Sequence, residues 1–419
     1  MKARLLVWGG FALLLLVAPL VFTSSFAITL LSQIGIAIVA CLSYNILLGQ
    51  GGMLSFGHAV YSGLATYIAI HALVAIGANT LPLPVSLIPL VGGLGGMLFA
   101  VVLGYVTTKK AGTPFAMITL GIGELVFAMS LMVPEFFGGE GGVSANRVAG
   151  KPVLGITFGP QIQVYYLLAI YTFLATAAMF AFTRTPLGRM LNAVRDNPER
   201  VEFVGYSTQR VRYLSFIVAG FFAGISGGMY ALSFEIATAD VVHPARSGAY
   251  LLFTFLGGAI FFFGPIIGGV LMVLASVLLS EWTRAWQVYL GLVFLFMVMY
   301  APGGIASLIM MNLRVAAHRR LGPLLGWYVA LFASALLLLG GAAALIELVY
   351  HRQLAATSGS AFRFFGIPLD TAIVADWVAV LVAVAVGAAV FETVRRRFAV
   401  RWGATQAAIE ADLTYKEAA

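Results

Sequence analysis

Long apolar runs separated by short polar stretches fill the chain. The first run, residues 5–22, follows Lys2 and Arg4, and others cover 27–48, 58–76, 87–107, 114–133, 164–182 and 213–234. The rest are 250–263, 266–279, 288–300, 324–346 and 373–391. A bilayer core takes about 20 helical residues per crossing. Strands of a membrane barrel would instead alternate apolar and polar positions in segments of about ten residues. These runs are apolar on all sides, so they predict an all-α, polytopic integral membrane protein of about ten to twelve transmembrane helices. The runs 250–263, 266–279 and 288–300 are short enough for half-helices or re-entrant pieces. The first run, longer than the core of a usual signal peptide, predicts an uncleaved helix; a cleaved leader ending near Ser24, Ser25 and Ala27 is the alternative.

Composition agrees, with 61% apolar and 10% charged residues, against about 45–50% and 25% in soluble domains. The net charge of +8 has a source in the positive-inside rule and needs no nucleic-acid partner. With the N-terminus in the cytoplasm and sides alternating, 18 of the 24 basic residues fall inside, among them Lys2, Arg4, Lys109, Lys110, Arg314, Arg319, Arg320, Arg395, Arg396, Arg397, Arg401 and Lys416. Arg147, Lys151, Arg246, Arg284, Arg352 and Arg363 fall outside. Both termini are expected in the cytosol, with the short runs making either three crossings or one crossing plus a re-entrant pair. The single cysteine, Cys41, allows no intramolecular disulfide. No His, Cys or acid pair has metal-ligand spacing on one helix, so no metal is expected.

The expected cytosolic loop 184–212 holds nine charged residues in 29 positions, where the chain average would place about three. Thr185-Pro186 is a capping hydroxyl before a proline at the first helical position. Asp196-Asn197-Pro198 ends that helix and caps a second one running to Gly205. An ordinary positive-inside loop is the plain alternative, but it needs no acids and no double cap. Mixed charge on a rigid knob suits docking to a partner protein.

Residues 49–57 hold Gly49, Gly51, Gly52 and Gly57 between two apolar runs. Each glycine costs a helix roughly 1 kcal/mol relative to alanine, so the backbone is expected to unwind or let a neighbour come close. Irregular backbone at membrane depth survives where it is buried in protein or lines a wet cavity. Asn45, Gln50, Ser55 and His58 are therefore candidates for a translocation path; close helix packing or a turn at the cytosolic face fits the same glycines. A second interruption runs from Gly257-Gly258 to Gly268-Gly269 around Gly264-Pro265. Glu124, well inside the run 114–133, should face protein or water; it and Thr119 join the path candidates, a structural hydrogen bond being the alternative for Glu124.

The loop from Thr185 to Arg200, with Gly205 and Leu214-Ser-Phe-Ile-Val-Ala-Gly-Phe-Phe-Ala-Gly-Ile-Ser-Gly-Gly, resembles the coupling loop and next helix of the branched-chain amino acid ABC importer permeases. It is more like their M-type (LivM-type) subunit. Asn45-Ile-Leu-Leu-Gly-Gln-Gly-Gly-Met-Leu-Ser-Phe-Gly-His-Ala, Pro114 to Glu124, and Gly264-Pro265 with Ala301-Pro-Gly-Gly-Ile305 agree in the same order. The resemblance covers about residues 25–312. It implies a non-catalytic permease subunit in a bacterial-type inner membrane, paired as a heterodimer with a homologous subunit, served by two cytosolic ATPase subunits and a soluble substrate-binding protein. ATP and Mg²⁺ would be used by the ATPases, and no G-x-x-x-x-G-K-[ST] loop occurs in this chain. Arg189, Arg195, Asp196, Asn197 and Glu199 are the expected ATPase-coupling positions. The glycine-rich segment 138–144 resembles the part of the family that faces the binding protein, and a flexible loop fits it as well. Residues 1–312 would form the permease domain, and 313–419 an added extension with two further transmembrane helices and a basic tail. An ion-coupled secondary transporter using Glu124 and His58 is the competing reading; an intramembrane enzyme lacks a nucleophile, base or metal constellation.

Overall fold

The computed structural model describes residues 2–149, 157–318 and 322–418. Lys151, Arg319 and Arg320 of the charge distribution lie outside the described residues, as do the side chains of Lys2, Arg4 and Lys416. The helices are α1 (Lys2–Val21), α2 (Ser25–Asn45), α3 (His58–Gly77), α4 (Ile88–Thr107), α5 (Thr113–Met132), α6 (Pro134–Phe137), α7 (Gln161–Phe182), α8 (Pro186–Asp196), α9 (Pro198–Phe203) and α10 (Thr208–Phe234). They continue as α11 (Pro244–Gly257), α12 (Gly264–Leu274), α13 (Ser280–Trp282), α14 (Trp286–Tyr300), α15 (Gly304–Ala317), α16 (Gly322–Ser358) and α17 (Val374–Ala418). Among the described residues nine helices are long and apolar enough to cross a membrane, ten if α14 and α15 form one broken span. The protein is all-α and polytopic, as its pattern predicts.

Three runs were cut short by the pattern, among them 324–346 inside α16 (Gly322–Ser358). The run 266–279 lies inside a 19-residue apolar helix, Gly264–Trp282, long enough to span by itself. The last run, 373–391, begins one residue before α17, which stays helical from Val374 to Ala418. Charged side chains end hydrocarbon, not helix: Glu392 holds Arg395 and Arg396 at 2.7 Å, three and four residues ahead, the spacing at which helical side chains meet.

The chain divides into two compact units, Met1–Leu279 with Val293–Ser307, and Ser280–Leu292 with Leu308–Ala419. In the first, α3 and α10 form the centre, 78% and 72% buried along their apolar windows. The closest packing joins α4 to α10. Gly92 and Gly96 face Gly220, Gly224 and Gly228 backbone to backbone, and Gly220 faces Ala100. Small residues four apart let membrane helices approach where no hydrophobic effect drives them together. Buried hydroxyls tie the remaining helices: Thr66 Oγ1 donates to Gly227 O (3.1 Å), Thr254 Oγ1 to Cys41 O (3.2 Å), and Ser247 Oγ accepts from Ala59 N (2.9 Å).

Segment 138–144 is tied into the fold, because β1 (Val143–Ser144) pairs antiparallel with β2 (Ile236–Ala237). Arg147 beside it is buried and donates to the carbonyls of Phe158, Leu232, Ser233 and Gly159 and to Gln161 Oε1. It thereby satisfies carbonyls that the last turn of α10 leaves without helical donors. In the second unit α16 and α17 form a hairpin joined by the antiparallel strands β3 (Ala361–Phe364) and β4 (Ile367–Asp370).

Candidate functional site

The helix break after α2 is built from side chains that replace lost helical hydrogen bonds. A π turn, Ile46–Gln50, widens the end of α2, and residues 51–57 then run irregularly to His58. In hydrocarbon each unsatisfied backbone group costs several kcal/mol. Here the Tyr44 hydroxyl donates to Ser55 O (2.9 Å) and accepts from Ser55 N (3.3 Å). Thr119 Oγ1 on α5 accepts from Phe56 N (3.1 Å). Gly57 rests on the Thr119 carbonyl, and Gly49 rests on the Ala259 carbonyl of the second break. The two interruptions, 210 residues apart in sequence, are thus in direct contact.

Of the path candidates, Asn45, Ser55, His58 and Thr119 are buried, Gln50 is half-buried and Glu124 is exposed. His58 opens α3; its Nε2 meets Ser43 Oγ (2.9 Å), and its ring lies between Tyr44, Tyr61 and Tyr250. Asn45 Oδ1, Ser55 Oγ and His58 Nδ1 are buried without a hydrogen-bond partner among the described residues. Each such orphan costs about 1–3 kcal/mol, so three beside one break mark a place where this packing is not at its electrostatic best.

Glu124 is the twelfth of the twenty residues of α5. It makes no hydrogen bond or ion pair with another described residue, and a carboxylate at mid-bilayer costs at least about 2.5 kcal/mol on insertion scales. A second acid inside a long apolar helix, Glu347 of α16, escaped the sequence pattern because its run ended one residue earlier. That acid accepts from Thr283 Oγ1 and from Tyr289 OH (3.1 Å).

Loop 184–212 folds into the two capped helices expected of it. Thr185 Oγ1 accepts from Gly188 N (3.2 Å), Asn197 Oδ1 from Arg200 N (2.9 Å), and Gly205 leaves α9 with φ +93°. Leu191, Val194 and Val201 are buried beneath the knob, and Thr208 Oγ1 donates to Glu202 Oε1 (2.7 Å), joining α9 to α10. Arg189, Arg195, Asp196, Asn197 and Glu199 are all exposed. Arg195 alone among them also reaches inward. Its guanidinium pairs with Asp196 (2.9 Å) and donates through Nη1 to Gly49 O, while its Cγ covers Gly52. The knob therefore grips the helix break directly.

Sequence reasoning missed an exposed apolar edge on this knob: Phe203 is 89% exposed, Val204 71% and Tyr206 52%. The sequence pattern does not separate these apolar residues from buried ones; the direction of α9 does. A groove of about 410 Å³ runs beside α8, lined by Arg184, Pro186, Arg189, Met190 and Ala193.

Known proteins match this sequence. The family described as "Branched-chain amino acid transport system / permease component" matches residues 26–302. The LivM permease protein of the high-affinity branched-chain amino acid transport system of Salmonella typhimurium is 25% identical over 310 residues, covering 68% of this chain and 71% of that protein. Escherichia coli LivM is 25% identical over 293 residues, 64% of this chain and 67% of its own length. The guanosine ABC transporter permease protein NupQ of Bacillus subtilis is 31% identical over 97 residues, 23% of this chain and 29% of that one. No solved structure matches the chain. With both breaks, the capped knob and α5 all inside the matched stretch, the chain belongs to the family of branched-chain amino acid transport permeases, the membrane-spanning subunits of ATP-binding-cassette importers.

Proposed function

We propose that this chain forms one half of the translocation path of an ATP-driven importer for branched-chain or related amino acids. It would pair with a homologous permease subunit and work with two cytosolic ATPase subunits, which use ATP and Mg²⁺, and a soluble substrate-binding protein. Residues 1–312 carry this role, and 313–419 add a helical hairpin with a basic tail; both termini and loop 184–212 face the cytosol. The observation that carries the reading is the grip of Arg195 on Gly49 O. Motion imposed on α8 reaches the helix break without passing through a flexible linker.

Arg189, Asp196, Asn197 and Glu199, with Phe203, Val204 and Tyr206, form the ATPase-facing surface in this proposal, and Arg195 is the link behind it. From Gly49 the displacement passes to Ala259 in the second break and, along residues 51–57, to Thr119 on α5. The orphaned Asn45 Oδ1, Ser55 Oγ and His58 Nδ1 favour a second arrangement in which they find partners, so the break has somewhere to go. Family membership favours ATP drive over ion coupling through Glu124 and His58, and His58 is enclosed by three tyrosine rings. The test is uptake of labelled leucine by cells carrying the complete transporter: uptake should persist when the proton gradient is collapsed and stop when ATP is depleted. The reverse pattern would establish ion coupling.

A further inference from the structure

On α5 the exposed residues Met117, Gly121, Glu124 and Ala128 recur at intervals of four, three and four, and so form one stripe along the helix. Gly121 has nothing within 4 Å of where a side chain would start, and Ala128 carries only a methyl. The carboxylate of Glu124 therefore stands on the exposed face between two small residues, with the exposed Leu120, Leu125 and Met129 around it, in the middle of the span. Only a third of the apolar window of α5 is buried, against 78% for α3. Hydrocarbon is no resting place for an unpaired carboxylate, so water or protein must cover this stripe. Five residues away, on the buried side of the same helix, Thr119 holds the Phe56 N–H of the helix break, so α5 carries the stripe on one face and the break on another.

We propose that Glu124 lines the wet translocation route and receives the ammonium group of an amino-acid substrate as it passes. The assignment rests on the proposed importer function and sharpens it: the solute should carry a cationic nitrogen. A zwitterion entering a narrow path loses water from both ends, and a carboxylate replaces the water at the ammonium end. One acid, with no cation among the described residues bonded to it, supplies attraction without a trap, which transport needs because the solute must leave again.

The chain's only cysteine, Cys41, is fully buried, so Glu124→Cys introduces a single accessible thiol. In proteoliposomes holding the complete transporter, this variant should react with a membrane-impermeant trimethylammonium methanethiosulfonate, read by mass spectrometry of this chain. Addition of leucine-loaded binding protein and ATP should change that rate. Glu124→Gln should lower leucine uptake about tenfold or more, as expected for loss of one charge-assisted contact. Glu124→Asp should recover part of the uptake.

Unreactive thiol from both sides together with wild-type uptake in Glu124→Gln would overturn the assignment. So would an unreactive thiol with loss of the homologous subunit on purification of Glu124→Gln, which would make Glu124 a subunit contact. A wild-type transporter that imports no leucine or other amino acid would overturn the importer reading and the ammonium assignment together. Wild-type import with an indifferent Glu124→Gln overturns the assignment alone.

Discussion

Along α4 and α10 glycines recur every fourth residue inside unbroken helices, whereas between α2 and α3 four glycines in nine residues end one helix and delay the next. The first set faces a single neighbour, so each bare Cα serves one continuous contact. The second set faces three: Gly49 meets Ala259 of the second break, Gly51 and Gly52 meet Leu191 and Arg195 of α8, and Gly57 meets Thr119 of α5. Regular spacing yields a fixed seam, and clustering yields a junction where several elements meet through backbone. In a membrane both depend on partners for backbone groups, helical in the seam and, at the junction, supplied to Ser55 by Tyr44 and to Phe56 by Thr119.

Breaking the seam should have the largest effect. In Gly224→Val the new Cβ would overlap Gly92 O and stand 3.0 Å from Gly93 Cα, both backbone. Overpacking a core costs about 1–3 kcal/mol, and backbone cannot rotate away, so the upper end or more is expected. The measurement is the yield of monodisperse protein in detergent and its melting temperature, with Gly326→Ala as the counterpart, since nothing lies within 4 Å of that position. Comparable losses in both variants would show that the seam is no tighter than an open helix face.

The difference between seam and junction also explains what could be read beforehand. The capped helices of loop 184–212 and both helix breaks depend on local chemistry: a hydroxyl before a proline, an Asn-Pro pair, clustered glycines. Those signals are complete within a few residues, and the structure follows them. The four-residue glycine spacing in α4 and α10 is equally present in the sequence, but its meaning lies in pairing Gly92 with Gly224, 132 positions away. Apolar-run counting hides it. The same limit applies at the site: the acid at 124 was legible, whereas its lack of a partner was not. Arg195 looked like its charged neighbours until its position over Gly49 and Gly52 separated it from them. Phe203 could not be told from core by letter alone.

Straining the junction should have a smaller effect on stability. Gly52 has φ +62°, a conformation that costs other residues about 1–2 kcal/mol, and the atom facing its missing side chain is the flexible Cγ of Arg195 at 2.8 Å. Gly52→Ala should therefore fold and melt slightly lower. Its transport should fall by about two- to thirtyfold, the range that a coupling change of about 0.5–2 kcal/mol produces. Leucine uptake per ATP hydrolysed in proteoliposomes reads this directly; wild-type coupling together with lowered stability would make the junction a mere turn.

Arg195→Ala should disturb stability least and so isolates the link between knob and break. Its ion pair with Asp196 is exposed, 38% and 66% by side chain, and exposed pairs contribute about 0–1 kcal/mol. The hydrogen bond to Gly49 O adds about 1 kcal/mol, and α8 keeps its cap at Thr185 and its buried Leu191 and Val194. The variant should thus melt near the wild type and retain its ATPase partner on purification, yet hydrolyse ATP with little uptake. Phe203→Ser, altering the outward face of the same knob, should show the converse: intact protein that loses the ATPase. If both variants lose the ATPase and neither uncouples it, Arg195 belongs to the docking surface with its neighbours, and the junction receives its motion by another route.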